Sequence, residues 1–135
     1  GQNLDNPRNG ILSVYLSQAL EGKTINVTGK LERFRDLVYI DDTVSALILG
    51  LNPKTDGETY NVCNSQEITV REMIDGILET HEDEASSFTV KNIGTHDGDQ
   101  TGSSGKNNKL KSVGWNPQIK LKDGIKKFYD WARRQ

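Results

Sequence analysis

Residues 33–42, Arg-Phe-Arg-Asp-Leu-Val-Tyr-Ile-Asp-Asp, constrain this chain more than any other stretch. Leu37, Val38, Tyr39 and Ile40 form a compact apolar run of β-favouring types, which predicts a strand buried on both faces. Two aspartates follow at once, and Asp41 or Asp42 can accept from the free amides of a helix start. Two arginines precede the run. A guanidinium is always charged and forks onto phosphate or carboxylate oxygens. Arg35, at the root of a rigid strand, is therefore a candidate anion contact, and Arg33 a weaker one. The plainer alternative is a surface arginine paired with Asp36 or Glu32, and spacing alone favours it.

On both sides of this segment the apolar pattern switches between helical and strand periods. Ile11, Leu12, Tyr15, Leu16, Ala19 and Leu20 recur at helical spacing, with Gly22 as a stop. Ile25 and Val27 alternate with polar residues, so a short strand is expected before Gly29. The helix after the aspartates is expected to bury Val44, Leu47, Ile48 and Leu51, and Pro53 and Gly57 mark its following loop. Residues 59–62 read as a strand. Thr69 and Glu72 have capping-box spacing, and the helix they open should bury Val70, Met73, Ile74, Ile77 and Leu78. A short strand at 88–90, a glycine-rich loop at 94–105, a short helix at 107–113 and a turn at 114–117 follow. The last helix should bury Leu121, Ile125, Phe128 and Ala132. The alternation predicts α/β or α+β, with a small sheet, in a single domain over residues 1–135.

Composition removes several classes of function. The 135 residues suffice for one modest core, and 33% hydrophobic with 27% charged residues is ordinary for a globular protein. No apolar run reaches the roughly 18 residues of a membrane span, and no basic leader with an apolar segment opens the chain. The net charge of -2 predicts neither nucleic acid nor membrane as a bulk partner. The acidic middle and basic tail read as solvated helix faces. Cys63 is the only cysteine. It cannot form an internal disulfide, so a reducing, cytoplasmic home is expected, with Cys63 as a small buried hydrophobe. The opening residues 1–7 read as a loop cut between domains.

Little else carries chemistry. The 94–105 loop matches neither the phosphate-loop nor the dinucleotide fingerprint, and a surface loop is the favoured reading. His81 among acidic residues reads as a frayed helix end rather than a metal ligand, and His96 beside Asp97 and Asp99 as loop chemistry. Trp115 and Trp131 read as core or cap residues. No Ser/His/Asp order or zinc spacing occurs, so neither a catalytic centre nor a metal site is expected.

Taken in order, these pieces resemble the C-terminal substrate domain of the extended short-chain dehydrogenase/reductases, the NAD-dependent sugar-nucleotide epimerases and dehydratases. Gly1-Gln2-Asn3 is similar to the end of that family's Tyr-Gly-Pro-Gly-Gln-Asn segment. Residues 19–29 resemble its helix-to-strand passage, and residues 35–42 its Arg-Asp-Phe-Val-Tyr-Val-Asp-Asp signature. Tyr60-Asn61-Val62, Gly98-Asp99-Gln100, residues 110–117 and residues 121–131 resemble later segments in the same order. The resemblance implies that Arg35 grips the diphosphate of a sugar nucleotide. It implies that the backbone of Ile25, Asn26 and Val27 borders the nucleobase, that Ile11 and Leu12 approach from the other side, and that Gln66 and Asp99 lie near the ribose and phosphates. His96 and Asp97 stand where many relatives carry a second arginine, Cys63 and Asn64 replace the usual small residues, and residues 102–108 depart from the usual pattern.

The family's cofactor loop and Tyr-x-x-x-Lys pair precede the resembling segment. In that chemistry the tyrosine exchanges a proton with a sugar hydroxyl while NAD takes hydride. None of the four tyrosines here qualifies, since Ala19, Thr43, Asn64 and Arg133 stand four residues after them. The resemblance thus implies a small α+β substrate domain without its Rossmann domain, inactive alone, with no cofactor of its own. It implies an intact cytoplasmic, homodimeric enzyme whose N-terminal domain binds NAD, a UDP-glucose 4-epimerase by general likeness. The alternatives are an NDP-sugar 4,6-dehydratase or related reductase, and a stand-alone binding or interaction module of shared ancestry.

Overall fold

A computed structural model describes residues 10–94 and 100–134, apart from the side chains of 82–84. The elements in chain order are α1 (Ile11–Glu21), β1 (Thr24–Val27), β2 (Phe34–Arg35), α2 (Ile40–Leu49), β3 (Ile68–Thr69), α3 (Val70–Glu79), β4 (Thr89–Asn92), β5 (Gly102–Ser103), α4 (Asn108–Ser112) and α5 (Leu121–Ala132). Single turns of 3-10 helix cover Pro53–Thr55 and Glu82–Ser87. Mixed α/β architecture is as expected, but the sheet is divided in two.

The main core lies between α1, β1, α3 and α5. Leu16, Ile25, Val27, Val70, Ile74, Ile77 and Ile125 are fully or almost fully buried there. Each side chain of this size contributes about 1.5–3 kcal/mol on leaving water. The capping box forms as the spacing predicts: the Thr69 hydroxyl accepts from the Glu72 amide at 3.1 Å, and the Glu72 carboxylate accepts from the Thr69 amide at 2.8 Å. Gly76 lets α5 close onto α3, because a Cβ there would stand 2.7 Å from Ile125 Cδ1. β1 pairs in parallel with β4, Thr24 opposite Thr89. The second sheet has the order β3-β2-β5, antiparallel between β2 and β3 and parallel between β2 and β5.

Four expectations fail in this region. Residues 37–39 have no ladder partner among the described residues, and Ile40 already belongs to α2. Residues 59–62 are irregular rather than a strand. The predicted apolar face of α2 is exposed: Val44 is 43%, Leu47 65%, Ile48 64% and Leu51 84% accessible. The helix docks instead by its small and polar side. Ala46 packs with Leu110 and Trp115 in a second cluster, and the Trp115 indole N–H donates to the Asp42 carbonyl at 3.1 Å and to Ser45 Oγ at 2.9 Å. Nor does an aspartate cap α2. Tyr39 occupies the cap position without a side-chain bond, and Asp42 sits in the first turn, buried. Its carboxylate accepts from the amides of Gln118 and Ile119, which ties the start of α2 to the turn before α5.

Candidate functional site

Arg35 occupies the central strand of the second sheet, opposite Ile68 of β3 and Ser103 of β5. It is half-buried, and its Nη1 donates to the Phe34 carbonyl at 2.7 Å. The structure decides against the plainer alternative for this arginine. The Asp36 carboxylate accepts from three backbone amides: Asn64 at 2.7 Å, Ser65 at 2.9 Å and Gly105 at 3.2 Å. Glu32 faces Arg71, 3.8 Å away at the surface. The Arg35 charge sits on a braced strand, with no carboxylate partner among the described residues. Arg33 has a different role: its guanidinium donates to the carbonyls of Thr28 and Lys30 and braces the loop between the two sheets.

The loops around Arg35 are tightly fitted. A Cβ on Gly102 would lie 2.4 Å from the Phe34 ring, and one on Gly105 would lie 2.7 Å from Cys63 Sγ. These two glycines therefore admit the protein's own side chains, not a ligand, and the described part of the 94–105 segment offers no dinucleotide cradle. Residues 102–103 also join the sheet instead of remaining loop. Cys63 is buried, as expected. Asn107, 1% exposed, donates from Nδ2 to the Cys63 carbonyl at 2.7 Å, and its backbone amide donates to Ser65 Oγ at 3.1 Å. Sequence reasoning missed Asp36 and Asn107. An aspartate beside a candidate anion-binding arginine could have drawn attention; Asn107 leaves no signal in the sequence.

The structure distributes the other expected site residues unevenly. Gln66 is exposed, two residues ahead of Ile68 on the strand beside Arg35. Leu12 lines an apolar groove of about 730 Å³ together with Leu37, Tyr39, Asn64, Ile68 and Phe128. Ile11 packs against the main core. Ile25 and Val27 are completely buried, which leaves only backbone to meet a ligand. At that edge the Asn26 amide donates to Gln18 Oε1. These three residues belong to the other sheet, not to the one carrying Arg35. Asp99 and His96 lie outside the described residues.

His81 packs edge-on between Phe88 and Tyr129, with ring centroids 4.8 and 5.0 Å away. No group of metal-ligating side chains occurs among the described residues. Trp115 is a core residue, whereas Trp131 stacks on Phe128 along the groove and is 39% exposed. No helix among the described residues is long and apolar enough to cross a membrane.

The comparisons with known proteins assign the chain to the C-terminal part of an extended short-chain dehydrogenase/reductase. The chain belongs to the GDP-mannose 4,6 dehydratase family, whose model matches residues 6–128. It is 29% identical over 132 residues to the dTDP-4-dehydro-6-deoxyglucose reductase of Escherichia coli, covering 95% of this chain and 40% of that protein. It is 27% identical over 129 residues to the dTDP-glucose 4,6-dehydratase of Shigella flexneri, covering 90% of this chain and 35% of that one. Among solved structures, the UDP-glucose 4-epimerase of Thermotoga maritima, determined with UDP-glucose, superimposes with a TM-score of 0.82 at 26% identity, over 93% of this chain and 40% of that one. The chain thus spans only 35–40% of the length of these relatives.

Proposed function

We propose that this chain is the nucleotide-sugar-binding part of an NAD-dependent sugar-nucleotide epimerase of the UDP-glucose 4-epimerase kind. The observation that carries the proposal is Arg35, a half-buried guanidinium on a central strand whose two neighbouring carboxylates are engaged elsewhere. Its task is to hold a diphosphate. Gln66 lies just ahead of the neighbouring strand, Leu12 and Ile11 belong to the proposed set by their place in the motif, and the backbone at 25–27 offers an edge for a nucleobase. Asp99 belongs to the proposed set by its place in the motif.

The division of labour follows from what these residues can do. Their task is to bind and orient, not to move a proton or a hydride, and among the described residues Gly102 and Gly105 close on the protein's own side chains. When bound elsewhere in the intact enzyme, NAD supplies the hydride chemistry. The exposed α2 face and the apolar groove are suited to cover by that cofactor domain. The proposal extends to a cytoplasmic homodimer for the intact enzyme. A 4,6-dehydratase is the second reading, favoured by the family match and the Shigella relative.

Calorimetric titration of UDP-glucose and of NAD into the 135-residue chain tests the assignment. UDP-glucose is expected to bind, and NAD is not. Losing charge-assisted bonds to phosphate costs about 1.5–3 kcal/mol, so Arg35→Ala should weaken UDP-glucose by roughly 10- to 100-fold, with Arg35→Lys between. Tight NAD binding, or turnover by this chain alone, would overturn the proposal.

A further inference from the structure

We propose that Asp36 is a positioning residue: its carboxylate sets the register of the two loops that flank Arg35, and thereby the shape of the anion site. The inference rests on the nucleotide-sugar reading above. The sheet that carries Arg35 is held by two ladders of only two residues each, β2 with β3 and β2 with β5. Ladders so short are marginal by themselves. Asp36 lies one residue past both. Its Oδ1 accepts from the Asn64 amide, in the loop that enters β3. Its Oδ2 accepts from the amides of Ser65 and Gly105, the second lying just beyond β5. One carboxylate thus fastens both neighbours of the central strand at the same level.

The fastened loop needs this support. Ser65 has φ 58°, in the left-handed region that non-glycine residues avoid. Its amide is held by Asp36, and its hydroxyl accepts from the Asn107 amide. Gln66 follows directly. Three backbone amides occupy the Asp36 carboxylate, so it does not pair with the guanidinium of Arg35. The negative charge beside a phosphate contact is spread over three N–H dipoles instead.

Two effects of removing this charge have opposite signs, which makes the inference testable. Electrostatics alone predicts that Asp36→Asn tightens the binding of an anion. Positioning predicts that it weakens binding, because an amide offers one acceptor oxygen to three N–H groups. The measurement is calorimetric titration of UDP and UMP into the 135-residue chain, well below the unfolding midpoint of each variant. Misplacing a binding group by about 1 Å costs up to ~100-fold, so Asp36→Asn should weaken UDP by about tenfold and lower the preference for UDP over UMP. A merely structural role would lower the unfolding midpoint and leave that preference unmoved. Unchanged or tighter UDP binding by Asp36→Asn, with Arg35→Ala still defective, overturns the inference and spares the nucleotide-sugar reading. No UDP binding by the unmodified chain overturns both. Should Asp36→Asn not fold, Ser65→Ala decides, since it loosens the same loop and keeps the carboxylate. A loss of roughly threefold for UDP, with UMP little changed, supports the inference; an unmoved preference overturns it.

Discussion

Asp41 and Asp42 are neighbours of the same type in the first turn of α2, yet the structure predicts very different consequences for their loss. Asp42 is 4% exposed, and its two oxygens accept from the amides of Gln118 at 2.9 Å and Ile119 at 3.0 Å. Asp41 reaches Lys127 across 3.4 Å with a side chain 64% exposed. Both gain from the helix dipole, which is worth about 0.3–1 kcal/mol and cancels in the comparison. A hydrogen bond to a charged group contributes about 1.5–3 kcal/mol, and water can reach part of what Asp42→Ala uncovers, so a loss of about 3 kcal/mol is expected. Asp41→Ala should cost no more than about 1 kcal/mol. For a domain of this length the larger loss corresponds to a midpoint lower by roughly 10–15 °C. Urea unfolding followed by tryptophan fluorescence measures both, and Trp115, bonded to the Asp42 carbonyl, reports from the site. Slopes should be unchanged and midpoints should separate. Equal losses for the two alanine variants would refute the reasoning.

Three further outcomes are expected. Thr69→Ala should cost about 1 kcal/mol at neutral pH. The Thr69 hydroxyl, and after it the Thr69 amide, hold the Glu72 carboxyl below its ordinary 4.5. A depressed carboxyl stabilises the fold above that value and loses its contribution as pH falls through the folded one, so the gap between wild type and Thr69→Ala should narrow in acid; a gap that widens in acid contradicts this. Gly102→Ala places a Cβ 2.4 Å from the Phe34 ring and should destabilise by about 1–3 kcal/mol, with partial recovery in Gly102→Ala combined with Phe34→Leu; additive losses in that cycle rule out the steric explanation. Leu47→Lys and Ile48→Lys should change stability by no more than about 0.5 kcal/mol and reduce self-association seen by light scattering at two concentrations. A wild-type chain that is strictly monomeric at both concentrations speaks against an adhesive α2 face.

The elements with strong local signals were legible. The helical spacing of α1 and α5, the capping box of α3 and the alternation of β1 all appear where the pattern puts them. The burial of Ile125 and of the α3 face follows from the same periodicity. What failed was the assignment of partners. Periodicity says that α2 has an apolar side but not which side docks, and the choice was made by Trp115, some seventy residues away, bonding to Asp42 and Ser45. The run at 37–39 has strand composition, yet no described strand lies beside it. On the proposed reading the cofactor domain covers both.

The segment 33–42 shows why the site was only half readable. In sequence it is one unit, an anion contact leading through a strand into a helix. In the fold its residues separate into different tasks. Arg33 braces the 28–30 loop, Arg35 has no carboxylate partner among the described residues, Asp36 gathers amides from 28, 29 and 69 residues away, and Asp42 does so from 76 and 77 residues away. The charge and rigidity that make Arg35 a candidate are local properties and could be read. The reason Asp36 does not pair with it is not local: Asp36 is satisfied by backbone that only the closed fold delivers. A single arginine therefore has to be judged by what its neighbouring carboxylates bond to, and here both bond elsewhere. That is why Asp36→Asn and Arg35→Ala together say more about this site than either does alone.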